Sequence, residues 1–346
     1  MKKLLPMILA TALITMMMAG CQIIPEDSNT TNPTAAPTGS IQTGASEQTE
    51  PIEIKIGGLK GPTSMGLVKL MESAEKAEAK NNYTFTISGS ADEVTPKLIK
   101  GELDMAAVPA NLASVLYNNT NGEIKLLAVN TLGVVYIVEK GNEINSFMDL
   151  KGKTIYGTGK GSTPEYTLRY LLSEKGIDPD RDVNLEWKAE PTEVVALFSE
   201  LDKGVAMMPQ PYVTVAQTQI EGLRMAIDLT KEWDALDSGS SLITGVLVVR
   251  KEFAEKYPEQ IAAFLDEYQQ SAEYVNTNIP EAAKLIEKYG IVKAAIAEKA
   301  IPYCNIYFME GAEMKASMQG YLSALLEQNP KSIGGKLPAE DFYYER

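Results

Sequence analysis

The sequence contains no histidine, and this absence removes several kinds of chemistry. Neither a Ser-His-Asp nor a Cys-His arrangement can form, and no metal site can use an imidazole ligand. Catalysis by carboxylates or lysine stays open. Cysteine is almost as scarce, since 346 residues contain two, Cys21 and Cys304. We expect only Cys304 in the globular part, where it forms no internal disulfide and is either a buried small hydrophobe or a reactive thiol.

Basic residues are fewer than acidic ones: 32 Lys and Arg against 46 Asp and Glu give a net charge of −14. This balance disfavours a nucleic-acid surface, although a buried site can still bind an anion through backbone dipoles. The sequence also lacks the glycine spacing of a P-loop, and residues 157–161 lack the last glycine of a dinucleotide fingerprint. We therefore expect neither nucleotide hydrolysis nor a cofactor.

The N-terminus begins with basic residues, continues as the apolar segment Leu4–Ala19 and ends as Met18-Ala19-Gly20-Cys21. Small residues before a lone cysteine resemble the lipobox of bacterial lipoproteins. Residues 1–20 are therefore predicted to be a signal peptide and Cys21 to be lipidated. The alternative is an ordinary secretory signal with an incidental cysteine. Residues 21–51, rich in Thr, Ser, Pro and Gly, are predicted to form a disordered tether that holds the body at the outer side of the bacterial cell membrane.

The sequence Lys-Gly-x-Thr occurs twice, at residues 60–63 and 160–163, 100 residues apart. Each copy follows a strand-like run and precedes a helix-like run. In the second copy Thr163 is predicted to cap the helix, Pro164 to be its first residue and Glu165 to lie in its first turn. Such a turn directs free backbone N–H groups and the positive end of a helix dipole towards one point, which suits an anion or a polar ligand head. A chance match of short motifs is the alternative.

A second repeated feature follows each copy, because Pro109 and Pro209 are also 100 residues apart and each ends an apolar run that follows a glycine turn. Strand and helix patterns alternate around these motifs and beyond them, and they include a predicted helix over residues 64–79, a predicted strand over residues 223–228 and a predicted helix over residues 311–328. This alternation predicts an α/β fold of two similar lobes, each a mixed sheet with helices on both faces.

The boundaries of the lobes follow from two long apolar runs, residues 132–138 and 242–249, which are predicted to cross between the lobes as a hinge. We assign residues 52–133 and 245–346 to lobe 1 and residues 134–244 to lobe 2. The pattern is helical from Lys251 onwards, and the tail from Pro330 is predicted to be irregular.

If the strand ends of both lobes face one cleft, polar and aromatic residues converge there. For each of them the alternative role is capping, turn geometry or core packing, and a lysine beside a glycine turn, such as Lys160, is usually solvated. Trp187 and Trp233 are predicted to pack. The candidate ligand-binding residues are Lys60, Gly61, Pro62, Thr63, Ser64, Met65, Asn111, Thr131, Gly161, Ser162, Thr163, Tyr166, Gln210, Tyr212 and Thr244.

Several motifs occur together in one chain: Cys21 with its tether, then residues 58–63, 101–106, 150–156, 159–163 and 204–211. In this combination, over about residues 52–330, the chain resembles the nitrate/sulfonate/taurine-type solute-binding proteins of bacterial ABC importers. The resemblance implies a type II periplasmic-binding fold, in which turns 60–65 and 161–163 contact the ligand. It also implies a small-molecule solute and docking onto a permease with its ATPase. Gln210 stands where the family usually has an acidic residue, which disfavours a basic amine ligand.

The resulting hypothesis is a monomeric, lipid-anchored, non-enzymatic receptor that captures a small organic solute by lobe closure. The solute is expected to be anionic or polar aromatic, of the sulfonate, carboxylate or pyrimidine class. Two alternatives differ in class: an enzyme of the pyrimidine or thiamine-precursor type on the same fold, and a module that presents its ligand to a membrane sensor.

Overall fold

The computed structural model describes residues 50–237 and 239–346. Cys21 and the predicted signal peptide lie outside the described residues, as does the predicted tether except for Glu50 and Pro51, which are exposed and irregular. Within the described part, no helix combines the length and the apolar character that crossing a membrane requires.

Eleven strands occur in the described residues, and they form two sheets. The strands are β1 Glu53–Leu59, β2 Asn82–Ser88, β3 Met105–Pro109, β4 Ile124–Leu132, β5 Val135–Lys140, β6 Thr154–Gly157, β7 Asn184–Trp187, β8 Gly204–Pro209, β9 Leu223–Asp228, β10 Ile243–Arg250 and β11 Ile306–Met309.

The two sheets share one topology. The first has the order β2-β1-β3-β10-β4-β11 and the second has the order β7-β6-β8-β5-β9. In each, three parallel strands are followed by one antiparallel strand, which is β10 from late in the chain in the first sheet and β5, just before β6, in the second. The register repeats as well, because Pro109 pairs with Gly245 and Pro209 pairs with Val135. The predicted α/β fold of two similar units is confirmed.

Helices cover the faces of both sheets. They are α1 Pro62–Met65, α2 Val68–Glu75, α3 Ala91–Ile99, α4 Ala110–Asn119, α5 Thr163–Glu174, α6 Pro191–Glu200, α7 Tyr212–Gln219, α8 Leu229–Asp234, α9 Lys251–Lys256, α10 Pro258–Thr277, α11 Ile279–Lys288, α12 Ala294–Ala300 and α13 Gly311–Gln328. Short 3₁₀ turns occupy Phe147–Leu150, Ile301–Tyr303, Pro330–Ile333 and Glu340–Phe342.

The helix predicted for residues 64–79 is wrong, since the structure has α1 and α2 separated at Gly66 and Leu67. The cause is Ser271, whose hydroxyl donates to the carbonyl of Gly66 at 2.6 Å and accepts from the N–H of Leu70 at 3.0 Å. A side chain that enters the i→i−4 ladder in this way interrupts a helix.

The tail from Pro330 is irregular apart from two short 3₁₀ turns, as predicted, and it packs on the body: Phe342 is fully buried, and the N–H of Tyr344 donates to the carbonyl of Leu126 at 2.9 Å. Two further predictions need correction. The segment after Lys251 is not wholly helical, because β11 adds a strand beside β4. The run 132–138 is two strands, divided at Gly133 and Val134, whose carbonyls accept from Asn305 Nδ2 and from the N–H of Gln210.

One apolar core is shared by the two halves of the body. It includes side chains from α4 and α13 beside the first sheet and from α5 and α8 beside the second. Trp233 is fully buried there, with its ring centroid 4.7 Å from that of Tyr170 and 5.6 Å from that of Tyr321. Trp233 therefore packs as predicted, and α13 connects the two halves. Cys304 is also fully buried, and burial raises the pKa of its thiol.

Candidate functional site

The carboxyl ends of neighbouring parallel strands lie along the same side of a sheet, and we call this side the edge of the sheet. In the first sheet this edge bears the turn after β1, residues 60–65, and the start of α4 after β3. In the second sheet it bears the turn after β6, residues 159–163, and Gln210 after β8. The topology therefore gathers the predicted residues into two edge groups.

The two edges meet at one buried contact. Thr163 Oγ1 donates to Asn111 Oδ1 at 3.1 Å, and Tyr321 Oη donates to Thr163 Oγ1 at 3.3 Å. Asn111 Nδ2 donates to the carbonyl of Ser332 at 2.9 Å. All four residues are buried. Since the contact joins the first residue of α5 to the start of α4, the two sheet edges face each other.

The first turn is buried and held by the sheet beside it. The carbonyl of Thr63 accepts from Asn130 Nδ2 at 3.0 Å, and Thr131 Oγ1 donates to Asn130 Oδ1 at 3.0 Å. Gly245 makes this approach possible, because a Cβ at that position would lie 2.4 Å from Thr63 Cγ2. The turn begins at Gly61, which has a φ of 154° that only glycine adopts easily. Asn130 was not among the predicted residues; its only sequence signal is a polar residue at the end of an apolar strand.

Several polar groups of the second turn are bound within the turn and the first turn of α5. The N–H of Gly161 donates to Glu165 Oε2 at 2.7 Å, and both the N–H and the hydroxyl of Ser162 donate to the carbonyl of Gly159, at 3.1 and 2.8 Å. Glu165 Oε1 accepts from Arg169 Nε at 2.9 Å. The N–H of Gly161 is therefore not among the free backbone N–H groups that such a turn was predicted to offer. The predicted cap is also shifted by one residue, since α5 begins at Thr163 and Ser162 precedes it.

Three predicted residues have buried polar atoms without a hydrogen-bond partner among the described residues: Ser64 Oγ, Gln210 Nε2 and Thr244 Oγ1. Gln210 is fully buried, and its Oε1 accepts from the N–H and the hydroxyl of Thr214, at 3.3 and 2.9 Å. Its free Nε2 therefore remains available as a donor. Nine such unpartnered atoms occur among the described residues, and the three at these edges mark places where a bound molecule could be recognised because they lie beside the carboxyl ends of the strands.

The remaining predicted residues differ in position. Lys60 is exposed, and so is Lys160. Pro62 and Met65 are buried, and Met65 belongs to the core behind the first turn. Tyr166 and Tyr212 are half-buried.

Partial burial has a measurable consequence for the two tyrosines. It raises the pKa of the Tyr212 phenol, and the carboxylate of Glu190 adds to the rise. Burial likewise raises the pKa of the Tyr166 phenol, with a further contribution from Glu165. Both phenols therefore stay protonated and can donate hydrogen bonds at neutral pH.

A third turn at the second edge was missed. It follows β7 and includes Lys188, which is half-buried and has its Nζ 5.9 Å from the centroid of the Tyr156 ring. Trp187 packs at this edge, as predicted, and its ring would lie 2.9 Å from a Cβ on Gly157. No group of three or more Cys, Asp or Glu side chains suited to a metal ion occurs in the described part of the chain.

A sequence model described as the NMT1-like family matches residues 48–288, which is more than half of the chain. Among curated proteins, the chain is 22% identical over 174 residues to a protein of Brucella abortus (strain 2308) that is named only as a binding protein. This match covers 50% of the chain and 52% of the relative, so the chain spans about half the length of the curated relatives it matches.

Two solved structures are similar over most of the chain. An ABC transporter protein from Parabacteroides distasonis is 26% identical, with a TM-score of 0.71, over 85% of this chain and 99% of that one. The periplasmic aliphatic sulphonate binding protein from Escherichia coli is 17% identical, with a TM-score of 0.69, over 84% of this chain and 96% of that one. The second likeness concerns the fold alone. The resemblance and the fold class predicted from the sequence are both confirmed.

Proposed function

Because the chain belongs to the NMT1-like family, we propose that it is the solute-binding lipoprotein of an ABC importer. Its ligand is a small organic solute of the sulfonate, carboxylate or pyrimidine class, captured between two lobes. The similarity to binding proteins of transporters supports this function over catalysis, so the enzyme alternative is not favoured.

The observation that carries the proposal is the meeting of two duplicated sheet edges at Asn111 and Thr163. The crevice at the carboxyl ends of strands is the usual place for a ligand in open α/β sheets. The free polar atoms of Ser64, Gln210 and Thr244 are located at these edges. In our proposal the candidate residues bind the solute there, and closure of the lobes excludes water and strengthens each hydrogen bond.

The proposed lobes are residues 52–133 with 245–346 and residues 134–244. The hinge would then include Gly133 and Val134, which connect β4 to β5. Gly133 lies against α8, since a Cβ there would be 2.0 Å from Thr230 Oγ1. Few residues need to change φ and ψ in so short a connection, which is the usual character of a hinge.

The proposal includes an extracytoplasmic location and attachment by lipid at Cys21 after removal of residues 1–20. The partners are the solute, a permease and its ATPase, and the receptor acts as a monomer. Metabolic labelling with a radioactive fatty acid tests the anchor: the native chain should be labelled and released only by detergent, whereas Cys21→Ser should be unlabelled. Labelling of Cys21→Ser would contradict it.

The solute-binding function is tested by native mass spectrometry of the full-length protein, freshly extracted in mild detergent, followed by X-ray scattering with and without the molecule found. We expect one small molecule per chain and a smaller radius of gyration in its presence. Chemical change of that molecule during incubation would instead favour the enzyme alternative. A gene for a membrane kinase, rather than for importer subunits, beside this one would favour the sensor alternative.

A further inference from the structure

We propose that the solute of this receptor carries no net negative charge where it meets the second turn, and that it is an uncharged polar molecule rich in hydrogen-bond acceptors. Amides and neutral nitrogen heterocycles have this chemistry; sulfonates, nitrate and carboxylates do not. The inference rests on the proposed function and narrows its solute class.

The first reason is that a carboxylate of the protein already occupies the second turn. Glu165 is 8% exposed, and its Oε2 accepts from the N–H of Gly161 at 2.7 Å. This is one of the N–H groups that the sequence pattern offers to an external anion. Two carboxylates that share one partly buried site repel each other, so a ligand anion at this turn would be opposed by Glu165.

The second reason is that the cation beside Glu165 is already shared. Arg169 donates through Nε to Glu165 and through a terminal nitrogen to Asp180 Oδ1 at 2.8 Å. The three side chains together have a net charge of −1. Arg169 therefore leaves no positive charge for a ligand at the turn.

The third reason is the neutrality of the other polar side chains at the two edges. They are Ser64, Asn111, Asn130, Thr131, Thr163, Gln210 and Thr244, and all are buried except Thr244, which is half-buried. Lys60 and Lys160 beside the turns are exposed. Lys188 is half-buried, but its ammonium lies over the ring of Tyr156. No described cation is thus buried among the free polar atoms.

The free atoms also define what the solute must offer. Gln210 Nε2 can only donate, since it is an amide nitrogen, and the acceptor of the same amide, Oε1, is already bound by Thr214. The hydroxyls of Ser64 and Thr244 can donate or accept. A carbonyl oxygen or a ring nitrogen of the solute can accept from such donors. A solute that pairs a buried polar group of the protein binds much more tightly than one that leaves the group unpaired.

The test compares molecules of one shape that differ in charge. Nicotinamide and nicotinate, benzamide and benzoate, and uracil and orotate are titrated into the full-length protein by calorimetry, together with ethanesulfonate and nitrate. We expect at least one neutral member to bind about tenfold or more tighter than its anionic partner. Tighter binding of the anionic members, or of ethanesulfonate or nitrate, would overturn the inference but leave the proposed function intact.

The role of Glu165 is tested with Glu165→Gln, which keeps the shape and removes the charge. The matched control is Glu313→Gln, because Glu313 is an exposed acid in the first turn of α13, which begins at the opposite edge of the first sheet. Glu165→Gln should improve the affinity for the anionic members about tenfold relative to the neutral ones. Glu313→Gln should change neither. An unchanged ratio in Glu165→Gln would overturn the part assigned to Glu165.

If no molecule of the panel binds, the small molecule that co-purifies with the protein distinguishes between the remaining outcomes. If nothing in the panel binds, the charge of the solute found by native mass spectrometry decides: a neutral one supports the inference and an anionic one overturns it. If no small molecule binds or co-purifies at all, the proposed function itself fails.

Discussion

The turns at residues 60–63 and 160–163 have the same Lys-Gly-x-Thr sequence, but their surroundings differ. In the first, Gly61, Pro62 and Thr63 are buried, and side chains of β4 hold the turn from the sheet. In the second, Gly161 is exposed and its N–H is bound by an acid of the following helix. The motif thus determines where the chain turns, whereas the residues around it determine which polar groups are left for a ligand.

The difference begins directly after each motif. Ser64 and Met65 follow the first copy and are fully buried, and Met65 belongs to the core behind the turn. Pro164 and Glu165 follow the second copy and start an amphipathic helix. A duplicated motif can therefore keep its backbone position in both halves and still diverge in chemistry.

The largest expected difference between the two turns is in the loss of stability when the space beside the first turn is filled. In Gly245→Val the new side chain would collide with Thr63 Cγ2 and with Asn130 Oδ1, which lie 2.4 and 2.7 Å from an ideal Cβ. We expect the free energy of unfolding in urea to fall by about 3 kcal/mol. The control is Val135→Ile at the equivalent register position of the second sheet, and an equal loss in both would contradict the special role of Gly245.

The two turn glycines should differ in their tolerance of alanine. Gly61 has a φ of 154° and a ψ of −166°, a region that is almost closed to other residues, so Gly61→Ala should cost about 2 kcal/mol. Gly161 has a φ of 76° with no atom near an added Cβ, so Gly161→Ala should cost about 1 kcal/mol. Urea unfolding of both variants checks the order. A reversed order would show that surroundings outweigh backbone conformation.

The contact between the edges can be removed on one side. Asn111→Ala deletes the acceptor of Thr163 and the donor to Ser332, and should cost about 1.5 kcal/mol. Asn118→Ala is the control, because Asn118 lies in the same helix and its side-chain amide donates to the C-terminal segment, at the carbonyls of Ile333 and Lys336. We expect the radius of gyration of the solute-free protein to rise in Asn111→Ala alone. The same rise in the control would assign the effect to the tail.

The smallest expected difference concerns one acid in each half. Hydrogen bonds from Lys69 and then Lys76 lower the pKa of Glu72 from its ordinary value of 4.5 to about 2, and Lys153 and Lys203 lower that of Glu143 to about 2. A carboxyl whose pKa is lower in the folded state stabilises the fold above pH 4.5, and this contribution disappears as the pH falls towards 2.

In the variants Glu72→Gln and Glu143→Gln, the free energy of unfolding should therefore decrease less than in the native protein as the pH falls from 4.5 to 2. Glu72 is 18% exposed and Glu143 is 49% exposed, so the effect of Glu72→Gln should be the larger, though below about 1 kcal/mol. Urea unfolding across this pH range, with and without 1 M salt, measures it. An effect of Glu143→Gln that survives 1 M salt would contradict its assignment to an exposed ion pair.

The elements that depend on local periodicity could be predicted from the sequence. The helix Gly311–Gln328 matches its predicted bounds, and so does the strand Leu223–Asp228. The division between α1 and α2 could not be predicted, because it depends on Ser271, 201 residues from Leu70. The helix Leu229–Asp234 was missed although Asp228 caps it, accepting from Thr230 and Lys231, since six residues are too few to establish a period.

The candidate site was predictable to a similar degree. The spacing from Ser162 to Glu165 is that of a capping box, which signals a helix start, but it does not say that the carboxylate binds Gly161 instead of Ser162. The meeting of Asn111 and Thr163 follows from the duplicated topology once both sheets exist. The assignment of these residues to a ligand stays a prediction until a solute is found.

The position of β10 between β3 and β4 has a consequence for the order in which the body can be assembled. All strands of the second sheet lie between Val135 and Asp228, so this half can be completed while synthesis continues. The first sheet must wait for residues 243–250, and its strand β4 also waits for Tyr344, two residues from the end. The emerging polypeptide can therefore complete its second sheet before its first, and β3 lacks a neighbour on one side until residues 243–250 have been made.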